Sequence, residues 1–232
     1  MAKSPKSPDS EPSKHLLLAE LRVLRIVLAI VIGLGLAGGV AAWQIHKDEM
    51  RRETLRAEAL HPVGAIGGPF TLTDQDGKTV SDTDFRGKFL LVYFGYTYCP
   101  DLCPTGLSGI AHVLDTLGSE AKKVQTLFIT IDPARDTPAK LKQYVESFHP
   151  GIMGLTGTPE QIAAVAKEYK VYYAKGEVVE GHDYIMDHSN LIYLMGPGGT
   201  FLTSFPDDAD PDGMAVAVRR FMDKQQAAVP AK

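Results

Sequence analysis

Cys99 and Cys103 are the only two cysteines of the chain, and they lie four positions apart in YTYCPDLCPTGL (96–107). Sulfurs this close can do three things. They can close a small disulfide, which constrains an unfolded chain little. They can exchange thiol for disulfide with a partner, although such motifs usually read C-x-x-C and this one carries an extra residue. They can also offer two thiolates to a soft metal ion. Two cysteines cannot build the multi-bridge framework of a small secreted scaffold. The segment follows a continuous apolar run and precedes a helical pattern, and ligands of open α/β sheets bind beyond the carboxyl ends of strands. Pro104 suits a first helical turn. That places Cys103 beside the positive end of a helix dipole and predicts the thiolate there.

A metal would need a third ligand, and the chain offers seven histidines. His15 and His46 flank a long apolar run, His61 and His149 each precede a proline, and His112 falls off the apolar stripe of its helix. His182 and His188 are left, both in GHDYIMDHSNLIYL (181–194). His188 immediately precedes a strand pattern, in a loop able to face the cysteines. The residue pattern leaves its role open between a metal ligand and a side chain that simply faces water.

Positioning these groups requires a scaffold. FTLTDQDGKTV (70–80) alternates around Asp76-Gly77 and predicts a short β-hairpin. FLLVYFGY (89–96) and VQTLFITI (124–131) are near-continuous apolar runs, the signature of strands buried on both faces. Leu107, Ile110, Ala111, Leu114 and Leu117 recur at helical spacing, and TPAKLKQYVESF (137–148) predicts a second helix. IMGL (152–155) predicts a short strand. Thr158, Pro159 and Gln161 supply an N-cap, a proline at the first helical position and a capping-box partner. VYYA (171–174) is extended, 175–187 is a polar excursion, and LIYLMG and TFLTSF flank Pro197-Gly198-Gly199 as a hairpin, before a closing helix at about 212–223. Alternating strands and helices followed by a hairpin and a helix predict an α/β sheet with one antiparallel part.

The rest of the chain is not globular in pattern. Residues 1–14 are rich in Ser, Pro and Lys and predict a disordered tail. Residues 26–45 (IVLAIVIGLGLAGGVAAWQI) carry no charge, and at 1.5 Å rise they span about 30 Å, the thickness of a bilayer's hydrocarbon core. A signal-peptide core is shorter, and the small residues of 37–42 are what a cleaved signal would use. The expectation is a single transmembrane anchor over 15–45, a charged helical stalk over 46–60, a globular domain over 61–225 and a tail over 226–232. Arginines and lysines on both flanks of the run only lean towards a cytoplasmic or matrix-side N-terminus. The formal net charge of −4, without a long basic stripe, argues against nucleic acid as a partner.

The strand-loop-helix YFGYTYCPDLCP, together with ITIDPARDTP, GLTGTPEQI, KVYYAKG and DYIMDHSNLIYLMGPGG, resembles the Sco/SenC family over about 69–222, in order and with matching spacing. That family comprises membrane-anchored assembly factors for the copper site of cytochrome c oxidase. The resemblance implies a thioredoxin-like fold with an N-terminal β-hairpin, preceded by a single transmembrane helix. It implies one copper, Cu(I) or Cu(II), bound by Cys99, Cys103 and His188. It implies delivery to cytochrome c oxidase subunit II or a related terminal oxidase. The expected location is a bacterial inner membrane with the domain in the periplasm; a mitochondrial inner membrane, with the domain in the intermembrane space, is the alternative. Two thiolates and an imidazole suit copper, and structural zinc sites prefer four protein ligands. Asp187 is a candidate fourth ligand, or orients His188. Tyr96, Tyr98, Tyr184 and Pro100 frame the site or simply pack. Cys99 and Cys103 can also form a redox-active disulfide, which would withdraw both soft ligands from a metal. The alternative function is therefore a thiol–disulfide reductase that keeps the oxidase's copper-site cysteines reduced. A peroxiredoxin-like peroxidase is more distant, because the position three before Cys99 is Tyr96 rather than Thr or Ser.

Overall fold

The computed structural model describes Gln44 and residues 66–176 and 184–227. The tail, anchor and stalk expected over 1–60 lie outside these residues, Gln44 excepted, as does His182. Among the described residues no helix is long and apolar enough to cross a membrane.

The chain runs β1 (Thr71–Asp74), β2 (Thr79–Ser81), β3 (Phe89–Gly95), α1 (Leu102–Leu117), β4 (Val124–Thr130), α2 (Pro138–Glu146), β5 (Ile152–Thr156), α3 (Pro159–Glu168), β6 (Tyr173–Lys175), β7 (Met186–His188), β8 (Leu191–Met195), β9 (Phe201–Pro206) and α4 (Pro211–Ala227). Seven strands form one sheet in the order β2-β1-β5-β4-β3-β8-β9, and β6 and β7 form a separate two-stranded sheet. The three middle strands are parallel: Phe89 lies opposite Val124 between β3 and β4, and Thr126 opposite Ile152 between β4 and β5. The expected hairpins close the two edges as antiparallel pairs, β1 with β2 and β8 with β9.

Each element follows from its residues. All seven residues of β3 are buried, as a strand covered on both faces demands. Tyr93 points towards α1, where a Cβ on Gly106 would come within 2.9 Å of its ring. Phe94 points the other way, against Tyr169 beyond α3, with ring centroids 5.4 Å apart. Thr137 caps α2 and Thr158 caps α3, the latter in a full capping box with Gln161 and with Pro159 in the first turn. The closing helix is longer than its apolar pattern at 212–223 suggests. Pro211 opens it, and it packs along α1.

The parallel arrangement carries the ends of β3 and β4 to one side of the sheet, and there the chain turns into two loops. Ile131 N–H donates to the Gly95 carbonyl at 2.8 Å, keeping the two strand ends together. A Cβ on Gly95 would sit 2.8 Å from both Cys103 Sγ and Phe128 Cε2. Gly95→Ala should therefore overpack this junction and destabilise the fold by about 1–3 kcal/mol, read as a lower urea midpoint at unchanged m-value. An unaltered midpoint would show that the junction has slack.

Candidate metal centre

Cys99 lies on the loop between β3 and α1, and Cys103 in the first turn of α1. The loop is built on a turn in which Cys99 N–H donates to the Tyr96 carbonyl at 3.2 Å. Asp136, fully buried, fastens it. Its carboxylate accepts from Thr97 N–H at 3.0 Å, Thr97 Oγ1 at 2.6 Å and Thr130 Oγ1 at 2.6 Å. Burial pushes the Asp136 pKa up, and the three donors oppose that shift.

His188 is not in a loop ahead of a strand. It is the last residue of β7, paired with Tyr173 of β6. Ser189 N–H continues the pairing to the Tyr172 carbonyl at 2.9 Å, and Met186 N–H donates to the Tyr96 hydroxyl at 3.2 Å. The Tyr96 ring meets the imidazole edge-on, with centroids 6.0 Å apart at 87°. His188 Nδ1 lies 3.0 Å from the Ser189 carbonyl. A carbonyl only accepts, so Nδ1 carries the proton, and the lone pair of the neutral ring is on Nε2. Nε2 is 3.6 Å from Cys103 Sγ.

The three donor atoms, two sulfurs and Nε2, all lie within 4.8 Å of one another. Both cysteines are free and buried, and His188 is half-buried. Two sulfurs and one imidazole with its lone pair turned inward form a donor set for a soft metal, and the Nδ1–H bond supplies the orientation that metal-binding histidines require. Asp187 is exposed and stands outside this group. Strand alternation turns it away from the side of its neighbour His188.

The proton distribution differs from the expectation that the helix end favours a Cys103 thiolate. Cys103 N–H, at the start of α1, donates to Cys99 Sγ at 3.3 Å. The helix terminus therefore serves the sulfur in front of it, not the one within its first turn. Hydrogen bonding from the Cys103 thiol holds the Cys99 pKa down to about 4, against burial and with help from His188 and backbone N–H groups. The same bond, with burial added, pushes the Cys103 thiol well up. At neutral pH the pair is one thiolate on Cys99 and one thiol on Cys103. Burial alone would lower the His188 pKa, but bonds to Cys99 and to the Ser189 carbonyl outweigh it, and the net direction is upward.

Several participants do not show in the sequence pattern. Asp136 and Arg135 sit inside the ITIDPARDTP segment, but nothing in that segment says what they touch. Tyr93 donates to Asp207 Oδ2 at 3.0 Å behind Cys103, and the acidic run 207–210 gives no sign that its first member is buried. The tyrosines divide their duties. Tyr96 contacts the imidazole and has the Arg135 guanidinium over its ring at 5.8 Å, whereas Tyr98 and Tyr184 lie closer against that guanidinium, 4.6 and 3.6 Å from their ring centroids.

The description SCO1/SenC matches residues 58–223. "Protein SCO2 homolog, mitochondrial" of Bos taurus is 42% identical over 200 residues, covering 85% of this chain and 75% of its own length. The structure of Bradyrhizobium japonicum ScoI with copper bound is 49% identical, with a TM-score of 0.63 over 67% of this chain and 99% of that one. BsSco, in which a disulfide switch has been identified and which is described as a member of the Sco family of cytochrome c oxidase assembly proteins, is 26% identical, with a TM-score of 0.54 over 68% of this chain and 94% of its own.

The asymmetry of the two sulfurs is directly measurable. In the reduced metal-free protein, thiolate absorbance near 240 nm should persist for one sulfur at neutral pH and fall only as pH drops through about 4. Cys99→Ser should abolish it. Alkylation at about pH 6, where an ordinary thiol is protonated, should modify Cys99 alone. Two thiols titrating together in the ordinary thiol range would refute the assignment.

Proposed function

The chain belongs to the SCO1/SenC family, and we propose that it is a membrane-anchored copper chaperone that binds one copper through Cys99, Cys103 and His188 and delivers it to the copper site of cytochrome c oxidase subunit II. The observation that carries this reading is the convergence of two sulfurs and an inward-facing imidazole nitrogen within 4.8 Å. Copper-bound relatives and the family's description as oxidase assembly proteins support it. Cys99 and Cys103 supply the soft ligands that Cu(I) favours, and His188 adds the nitrogen that Cu(II) requires. Exposed apolar side chains neighbour the site residues along the chain: Tyr98 (46%) beside Cys99, Leu102 (43%) beside Cys103 and Ile185 (40%) three residues before His188. They offer the docking rim a delivery partner needs. The uncharged run 26–45 supplies the anchor, over a stalk at 46–60 that holds the domain at 61–225 on the oxidising side of the membrane.

The reductase reading uses the same pair in another way. The Cys99 thiolate would attack a partner's disulfide, form a mixed disulfide, and be released by Cys103, leaving the partner's two thiols reduced and a Cys99–Cys103 disulfide here. The low-pKa Cys99 favours that chemistry too. The discriminating residue is His188, which exchange does not need and metal retention does.

His188→Ala should leave weakened Cu(I) binding by two sulfurs, while Cu(II) binding falls far more and its sulfur-to-copper charge-transfer absorption shifts or vanishes. Cells carrying it should fail to assemble active oxidase although the domain is folded and its thiols still exchange. His182→Ala is the control and should resemble the parent. Full oxidase activity with His188→Ala would promote the reductase, and loss of copper in His182→Ala alone would transfer the ligand role to His182.

Copper uptake at neutral pH should release one thiol proton, from Cys103, because Cys99 is already ionised, and any protonated fraction of His188 adds its own. Release of two thiol protons would contradict the pairing. The chain should also stay with membranes through a high-salt wash, and a mature N-terminus beyond residue 42 would exclude the anchor.

A further inference from the structure

His188 reaches the sulfurs from a small sheet that is joined to the main sheet at one end, where Leu191 opens β8 three residues on and the Asn190 carbonyl accepts from Asp207 N–H at 3.2 Å. β6 and β7 pair only with each other, so among the described residues no ladder bond of the seven-stranded sheet fixes where the imidazole stands. Beyond that link, its position depends on side-chain contacts to the ends of β3 and β4. One is the Tyr96 hydroxyl on Met186 N–H. The others converge on Arg135. Asp132, buried at the end of β4, pairs with Arg135 Nε. The other carboxylate oxygen of Asp132 accepts from the Tyr184 hydroxyl at 2.8 Å. Arg135 Nη1 donates to the Tyr184 carbonyl at 2.8 Å. The guanidinium also lies over the Tyr184 ring at 3.6 Å and over the Tyr98 ring at 4.6 Å, and Lys175 Nζ from β6 lies 3.7 Å from the Tyr184 centroid.

We propose that Arg135 is a positioning residue: held by Asp132, its guanidinium joins Tyr98 of the cysteine loop to Tyr184 of the histidine hairpin and sets how far His188 reaches towards Cys99 and Cys103. The inference rests on the ligand role of His188 proposed above. Tyr184 is four residues before His188 on an extended segment, so a displacement at Tyr184 is passed along β7 to the imidazole. Only a planar cation can do all of this at once. A guanidinium donates along its edge to Asp132 and to a carbonyl while its faces stack on rings, whereas an ammonium is a point charge without faces. Arg135 is not itself among the three residues that offer the donor atoms. It acts through the distance between two segments that carry them, as supporting residues around metal ligands do.

The test uses the full chain in detergent, as Arg135→Lys, which keeps the charge, and Tyr184→Ala, which leaves the Arg135–Asp132 pair in place should the first variant fold poorly. The metal-free readout is the Tyr96–His188 ring contact, followed by NMR cross-peaks in histidine-labelled protein. It should be present in the parent and lost or weakened in both variants. The metal readout is a split. Cu(I) affinity, resting on two sulfurs, should stay within a few-fold, while Cu(II) affinity falls about 10–100-fold and the charge-transfer band moves towards that of His188→Ala. Folded variants that retain the ring contact and the parent's Cu(II) affinity and spectrum would overturn the proposal. So would an equal fall in Cu(I) and Cu(II) affinity, the mark of a general structural loss. A parent that shows the ring contact but binds no copper would sink the copper assignment, and the metal-free comparison would still decide the role of Arg135.

Discussion

Asp136 is a fully buried carboxylate on which three donors end, two from Thr97 in the cysteine loop and one from Thr130 at the end of β4. A charge or polar group in such a place is tolerated only when its hydrogen-bonding capacity is met. The requirement works in both directions. Asp136 must be satisfied, and the loop must therefore lie where its backbone and hydroxyl can reach it. Cys99 is two residues beyond Thr97, so a bond made entirely outside the donor set fixes the starting point of the site. The short distance from the first sulfur to the helix start follows, and with it the N–H that singles out one sulfur.

That N–H changes the character of the pair. Two identical thiols in a symmetric setting would titrate as equals. Here the start of α1 aims its amide at Cys99, and the neighbouring thiol adds its own proton to the same sulfur. The first ionisation is concentrated on one atom and the second is suppressed on the other. The imidazole completes the arrangement, because its carbonyl partner leaves only Nε2 for the sulfurs. The donor atoms are set by residue type, but their protonation is set by how they meet in space: the Cys99–Cys103 bond first, then burial, His188 and main-chain N–H groups.

This division explains what a reader of the sequence can and cannot see. β3 and β4 are legible because strands buried on both faces leave continuous apolar runs, and the cap at Thr158 is legible because its partners are three residues apart. Cys99 and Cys103 stand out by scarcity. The choice of His188 over His182 is not written in periodicity, since the two lie six residues apart in one segment, 181–194, and the family resemblance singles it out. Arg135, Asp136 and Asp207 are harder still. Each acts across a large sequence separation, as Tyr93 with Asp207 does over 114 positions, and no local pattern encodes such a contact. The sequence points to the wrong sulfur for the thiolate for a related reason. A helix start is legible from Pro104, but which sulfur lies along its axis depends on how the preceding loop folds back.

The two sulfurs also differ in access. Cys103 is 0% exposed, on the floor of the site beneath the loop, and Cys99 is 9% exposed at its mouth. An incoming group, whether a competing ligand or an attacking thiol, meets Cys99 first and can engage Cys103 only after that contact has been made. Exchange at this site is thus ordered in time. The first bond to change is the one at the mouth, the last to be released is the one at the floor, and the return journey must run the same steps backwards.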